Sequence, residues 1–369
     1  MATNPTVSMT QIAEASGFSR SAVSMALRDH PALPAATRKH IQETAERLGY
    51  RPNPMVSALM AHRRASNPAP SNITLAFLTN FEQREPWKTG RILPELYEGL
   101  VRRAEERGYA LEEFWLRERG MSGRRLSQIL EHRAIPGVIV CSLPTSHGHL
   151  RLDWPKFSAV AIGYSLARPV LHRVISHHLH GIQLAMRKLR HAGYRRMGLI
   201  MHRRENARVD GHWLAGFLLE QQALEPAARL QPFLPDDAEW NGTAFREWFE
   251  RERPDVLLCV HPREIVPWLH GMKLSVPEVG LVNLYAGSAE MASAGVTQNP
   301  RGVGANAVDL LIELLNKNER GIPTLPKTVL VEPSWCDGPT LVLPAPREGA
   351  PESGVEGKKK LGAIRASRA

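Results

Sequence analysis

"SMTQIAEASGFSRSAVSMALRD" (residues 8–29) sets two short helix patterns on either side of one glycine. Ser8 can cap the first helix, with Gln11 three residues on as its capping-box partner. Ile12, Ala13 and Ala15 supply its apolar positions. Ser19 can cap the second helix, whose buried face reads Val23, Ala26 and Leu27. A small Ala13 lets two helices approach, Gly17 makes the turn, and Val23 fills the angle between them. That is the spacing of a helix-turn-helix, with an ordinary glycine-linked helical hairpin as the alternative. Arg20, Ser21 and Met25 then face outward together, at positions that enter a major groove in this motif.

The next stretch extends the same reading. Pro34 suits the first turn of a third helix, "PAATRKHIQETAERLG", with Ile41, Ala45 and Leu48 inward. Up to residue 64 there are eight Lys/Arg against four Asp/Glu, and the whole chain of 369 residues has a formal net charge of +10. Such a surplus favours a polyanionic partner, nucleic acid or an acidic surface, without fixing the fold. Pro52 and Pro54 break the chain after this helix, and Met55 to Ala61 can form a short helix of their own.

From residue 72 the texture changes. Short β-branched runs alternate with amphipathic helices: "ITLAFL" before "ELYEGLVRRAEERGY", then "GVIVC", "AVAIG", "RMGLIM", "DVLLCV" and "EVGLVNL". This alternation predicts parallel sheets with helices on both faces, long enough for two sheets, with ligands at the carboxyl ends of the strands. No GxGxxG follows a strand, and no Walker, GxSxG or HExxH pattern occurs, which leaves no enzymatic motif and no cofactor to expect. "SHHLHG" (Ser176 to Gly181) gathers His177, His178 and His180, and reads as solvated or helix-capping histidines rather than a metal site. Cys141, Cys259 and Cys336 are far apart and odd in number, so they read as reduced thiols, the first two as small core hydrophobes. With no signal-peptide pattern and no apolar run of membrane-spanning length, a cytoplasmic chain without membrane contact is expected. Residues 345–369, rich in Ala, Gly, Pro and charge, read as a disordered basic tail.

Residues 7–62 resemble the DNA-binding headpiece and hinge of the LacI/GalR family of bacterial transcriptional regulators. The residues that carry it are "VSMTQIAEASGFSRSAVSMALRD", "ATRKHIQETAERLGYRPNP" and the hinge "SALM" (residues 57–60). The α/β region resembles, more weakly, that family's two-lobed periplasmic-binding-protein-like domain. The resemblance implies an all-α helix-turn-helix headpiece over residues 1–52, a hinge helix and linker over 53–71, and an effector-binding and dimerisation domain over 72–344. It implies a repressor that binds a pseudo-palindromic operator in double-stranded DNA as a homodimer. A small molecule, a sugar or another metabolite, would control it from the cleft between the lobes. The alternative is a small-molecule-binding protein or sugar-modifying enzyme with an incidental N-terminal helical domain. The tail lacks the leucine heptads that could hold a tetramer.

Carried over by position, Arg20, Ser21 and Met25 read bases, Met25 offering only apolar contact where the family often has arginine. Ser24, Thr37 and Arg38 are placed for phosphates. Leu59 matches the leucine that family dimers wedge into the minor groove, a plain apolar contact being its other reading. The sugar-holding positions depart from the family. The usual arginine falls at Gly211, with Arg208 one turn earlier; His261 and Pro262 replace an amide and an acid; Tyr285 stands near a usual aspartate. Trp87, Trp213 and Tyr285 are aromatics that can stack on a sugar face or belong to the core. A ligand cleft is therefore expected, lined by Trp87, Arg208, Trp213, His261 and Tyr285, and the ligand class is left open.

Overall fold

The computed structural model describes residues 7–27, 33–50, 73–88, 92–286 and 292–342. The hinge with Leu59, the linker and the C-terminal tail lie outside these, as does the side chain of Trp87.

Three helices form the N-terminal unit: α1 (Met9–Ser16), α2 (Arg20–Ala26) and α3 (Ala35–Arg47). The capping box is formed, with Gln11 N donating to Ser8 Oγ at 3.3 Å and Ser8 N donating to Gln11 Oε1 at 2.8 Å. Gly17 ends α1 in the left-handed region at φ 75°, which a side chain resists, and Ser19 caps α2. Gln42 of α3 donates to the carbonyl of Ala26 at 2.9 Å and so satisfies the end of α2. The core is Ile12, Val23, Ala26, Ile41 and Ala45. Three details differ from the sequence reading. Ala15 is exposed and Ser16 takes the buried position. Leu48 follows the helix end and is exposed, while Thr44 is buried in its place. Pro34 precedes α3 as its cap, with extended backbone, instead of entering its first turn.

The remainder is two α/β lobes. Lobe one begins with β1 (Thr74–Thr79), α4 (Leu93–Glu106), β2 (Ala110–Trp115), α5 (Gly123–His132) and β3 (Gly137–Val140). It continues through β4 (Gly148–His149), β5 (Ser158–Ile162), β6 (Leu166–Arg168) and β7 (His172–Ser176). Lobe two follows with α6 (His178–His191), β8 (Met197–Ile200), α7 (Arg203–Arg208), α8 (His212–Gln221), α9 (Gly242–Glu252) and β9 (Val256–Cys259). Then come α10 (Pro262–Gly271), β10 (Gly280–Asn283) and β11 (Gly295–Thr297). The chain returns to lobe one for α11 (Pro300–Lys317) and β12 (Thr328–Val331), and ends in lobe two with β13 (Ser334–Cys336).

The first sheet runs β12-β7-β5-β3-β1-β2 and every pair is parallel. The second runs β13-β11-β10-β9-β8, parallel except for the antiparallel β13 edge. The central strands are buried on both faces, which is why their sequences are continuous apolar runs.

Lobe one is closed by α4 against α11. Their backbones meet at two glycines: a Cβ on Gly99 would lie 2.2 Å from the Arg301 carbonyl oxygen, and one on Gly304 2.3 Å from that of Leu96. Gly304→Ala should therefore force the helices apart and destabilise the α/β part by about 1–3 kcal/mol. Calorimetry should show its transition lowered; an unchanged transition would mean that the contact tolerates a methyl group.

Candidate functional site

The chain crosses between lobes three times, at Ser176–His178, Thr297–Pro300 and Val331–Ser334. The crossings are bonded to one another. Ser176 Oγ donates to the Gln298 carbonyl at 2.5 Å and His177 N donates to the Val331 carbonyl at 2.9 Å. Above them the carboxyl ends of strands from both sheets enclose a cavity of about 340 Å³.

Lobe one contributes Phe81, Ile92, Leu93 and Leu96, with Ser142 after β3 and Tyr164 and Ser165 after β5. Lobe two contributes Glu205 and Arg208 from α7, Trp213 from α8, and Val260, His261 and Tyr285 from the loops after β9 and β10. The structure thus brings Arg208, Trp213, His261 and Tyr285 to one cavity.

Three further lining residues carry no marking in the sequence, Tyr164, Glu205 and Gln298, and His178 joins them. His178 corrects the reading of "SHHLHG". His177 does cap α6, its ring accepting from His180 N at 3.3 Å, but His178 is buried and neither solvated nor a cap. Gln298 Nε2 donates to the Leu284 carbonyl at 2.7 Å, so its Oε1 faces His178 Nδ1 at 3.1 Å as the acceptor. The proton of His178 therefore sits on Nδ1, leaving Nε2 as a lone-pair acceptor. Trp213 and Tyr285 pack edge to face against that ring, at 5.0 and 6.5 Å between centroids, and against each other at 5.2 Å.

Burial sets the protonation of this cluster. It pushes the His178 imidazole down to about 3 and the Tyr285 phenol up to about 12, so both are neutral at physiological pH. Nearby, His261 Nε2 is paired with Glu205 Oε1, and Glu205 Oε2 is buried with no hydrogen-bond partner among the described residues. Arg203 and Arg204 of α7 pair with Asp236 at 3.0 Å and Asp237 at 2.8 Å. Arg208 has no acidic partner among the described residues, and its Nε is buried without an acceptor.

In the N-terminal unit Arg20 and Ser21 are exposed at the start of α2, whereas Met25 is half-buried instead of fully outward. Ser24 and Thr37 are half-buried. The Arg38 guanidinium donates to the Leu33 carbonyl at 2.8 Å.

Residues 186–340 match the family model described as a periplasmic binding protein-like domain. No curated protein matches the chain by sequence. Among solved structures, the transcriptional regulator CelR in complex with cellobiose is 19% identical, covering 90% of this chain and 99% of its own, with a TM-score of 0.55. The Lac repressor dimer bound to operator and the anti-inducer ONPF is 16% identical, covering 91% and 99%, with a TM-score of 0.50. The fold is that of the LacI-family transcriptional regulators. A LacI-family regulator from Rhizobium etli, described as a putative transcriptional regulator in its own right, is 16% identical over 74% of this chain and 100% of its own, TM-score 0.56. The periplasmic binding protein-like match includes all five strands of the second sheet. No helix among the described residues is long and apolar enough to cross a membrane.

A buried neutral histidine gives stability that is full above the ordinary histidine value and is lost as pH falls below it, because only the unfolded chain then takes up the proton. His178 should contribute a loss of up to about 1.4 kcal/mol per pH unit below ~6.5. Denaturant melts at pH 7 and pH 5 should show a smaller pH difference in His178→Gln than in the parent. Equal differences would mean that His178 does not carry this loss.

Proposed function

We propose that this chain is a sequence-specific DNA-binding transcriptional regulator of the LacI family, a repressor that acts as a homodimer on a pseudo-palindromic operator. The observation that carries the reading is the union in one chain of two parts. One is a helix-turn-helix whose second helix opens on exposed Arg20 and Ser21; the other is a periplasmic binding protein-like domain with an interlobe cavity. The net charge of +10 suits a polyanionic partner. The CelR and Lac repressor likenesses supply the pattern of a DNA-reading part under the control of a small ligand. A cytoplasmic site of action and no enzymatic step belong to the same reading.

In this account Arg20 takes a guanine edge bidentately, Ser21 donates or accepts, and Met25 meets an apolar base edge. Ser24, Thr37 and Arg38 hold the phosphate backbone. Leu59 enters the minor groove at the operator centre. The effector, a sugar or another metabolite, sits among Arg208, Trp213, His261 and Tyr285, with Trp87 a further candidate. It acts by binding one arrangement of the lobes better than the other, since a ligand with equal affinity for both shifts nothing.

Binding-site selection from a random duplex library should enrich a pseudo-palindrome with a flexible pyrimidine–purine step at its centre. Arg20→Ala should cost about 1–3 kcal/mol on the best site and relax preference at one base pair. Equal loss on every sequence would reduce Arg20 to a phosphate contact. Leu59→Ala should weaken operator binding more than non-specific binding. Binding by the parent protein that is sequence-blind and vanishes with added salt would overturn the regulator reading.

A further inference from the structure

We infer that the cleft takes a small organic acid with an apolar body, its carboxylate held by Arg208 and the Trp213 indole N–H. This rests on the reading of the cleft as the effector site and names the class of the effector. Two observations converge. The first is a pair of uncommitted donors. Trp115, Trp240, Trp248 and Trp335 each donate the indole N–H to a protein oxygen. Trp213 is 1% exposed and its Nε1 has no partner among the described residues. The Arg208 guanidinium lines the same cavity and is not ion-paired with any carboxylate among the described residues, although two other arginines of α7 are. Buried donors left unmade are costly, and a guanidinium asks for a charged, planar acceptor.

The second observation is the rest of the wall. Much of it is aliphatic, with Ile92, Leu93, Leu96, Ile162, Val209 and Val260, and no Asn or Asp lines the cavity. Each of its three serines already makes one bond to the backbone. Ser142 Oγ donates to the Ile162 carbonyl at 3.1 Å, Ser176 Oγ donates to that of Gln298, and Ser165 Oγ accepts from Leu143 N at 2.7 Å. A ligand with hydroxyls on every face would bury them against methyl groups and be penalised for each. An anion with one polar end meets the wall without that cost. Glu205 Oε2, buried and unpartnered, is an acceptor for one hydroxyl or amino donor elsewhere on the ligand. The volume of about 340 Å³ suits a small molecule.

Titration calorimetry on the full-length protein, without DNA, tests this with phenylacetate, 4-hydroxyphenylacetate and 2-hydroxyisocaproate. Phenylacetamide, glucose and cellobiose are the neutral counterparts. At least one acid should bind, and more tightly than the neutral probes. Arg208→Gln should weaken it about tenfold to a hundredfold, and Trp213→Phe, which keeps a ring and deletes the N–H, about threefold to tenfold. The unliganded melting temperature of each variant reports its folding, and a variant that fails to fold is replaced by Arg208→Lys, for which retained binding of the acid over the amide is expected. No binding by any acid, equal binding of phenylacetate and its amide, preference for a sugar, or undiminished acid binding in folded Arg208→Gln would overturn the inference. Operator selection is measured separately. Acid binding without operator selection sinks the regulator reading and keeps the acid site; operator selection without acid binding does the reverse.

Discussion

The α/β part depends on a small set of hydrogen bonds where its chain passes three times from one lobe to the other. Ser176 and His178 on the first crossing both bond Gln298 on the second, and His177 on the first bonds Val331 on the third. His180, in the first turn of α6, reaches Glu332 at 2.5 Å. Each lobe has its own buried clusters, so packing alone would leave the two free to separate. The bonded crossings fix where they meet. They also form the floor of the cavity, so the groups that join the lobes and the groups a ligand would touch are partly the same atoms. His178 is the clearest case: its Nδ1 is spent on the crossing and its Nε2 remains as an acceptor.

How a cleft of this kind biases two arrangements follows from the division of its walls. The aliphatic wall belongs largely to lobe one, whereas Arg208, Trp213 and the Glu205–His261 pair belong to lobe two. A ligand that bridges them gains its full interaction only when the walls are at one spacing. Differential contact of this sort is the physical requirement for coupling between distant sites.

Much of the architecture was legible in the sequence because it is encoded locally. Ser8 with Gln11, Gly17 and Ser19 are cap and turn signals that act within a few residues, and they delimit α1 and α2 as read. The central strands announce themselves as apolar runs. What escaped was set by partners far along the chain. The strand β2, "ALEEFW", has acids at Glu112 and Glu113 that look unsuited to a sheet. Arg133 engages Glu112 through two bonds of 2.6 Å, and Thr79 donates to Glu113 at 2.5 Å. Leu48 looked inward by period but lies past the helix end, where period no longer applies. In the cleft, Arg208, His261 and Tyr285 stand out in the sequence as departures from a family pattern, and Trp213 as an aromatic. Gln298 was not, since nothing near it in sequence distinguishes it from any surface glutamine; its partner is His178, 120 residues away. The histidine run misled for the same reason: three histidines within four residues occupy three different environments.

The return of the chain to lobe one has a bearing on how the molecule is made. Lobe one lacks its sixth strand and its closing helix until residues 300–331 exist, and lobe two lacks its edge strand until Cys336. Synthesis from the N-terminus therefore releases the three-helix unit, with its own small core, well before either lobe is whole. During that interval the face of α4 that receives α11, with Gly99 at its centre, stands uncovered on the nascent chain. The last seventh of the described chain thus acts as a fastening, and a ribosome that stops short of it leaves the three-helix unit attached to two unfinished sheets.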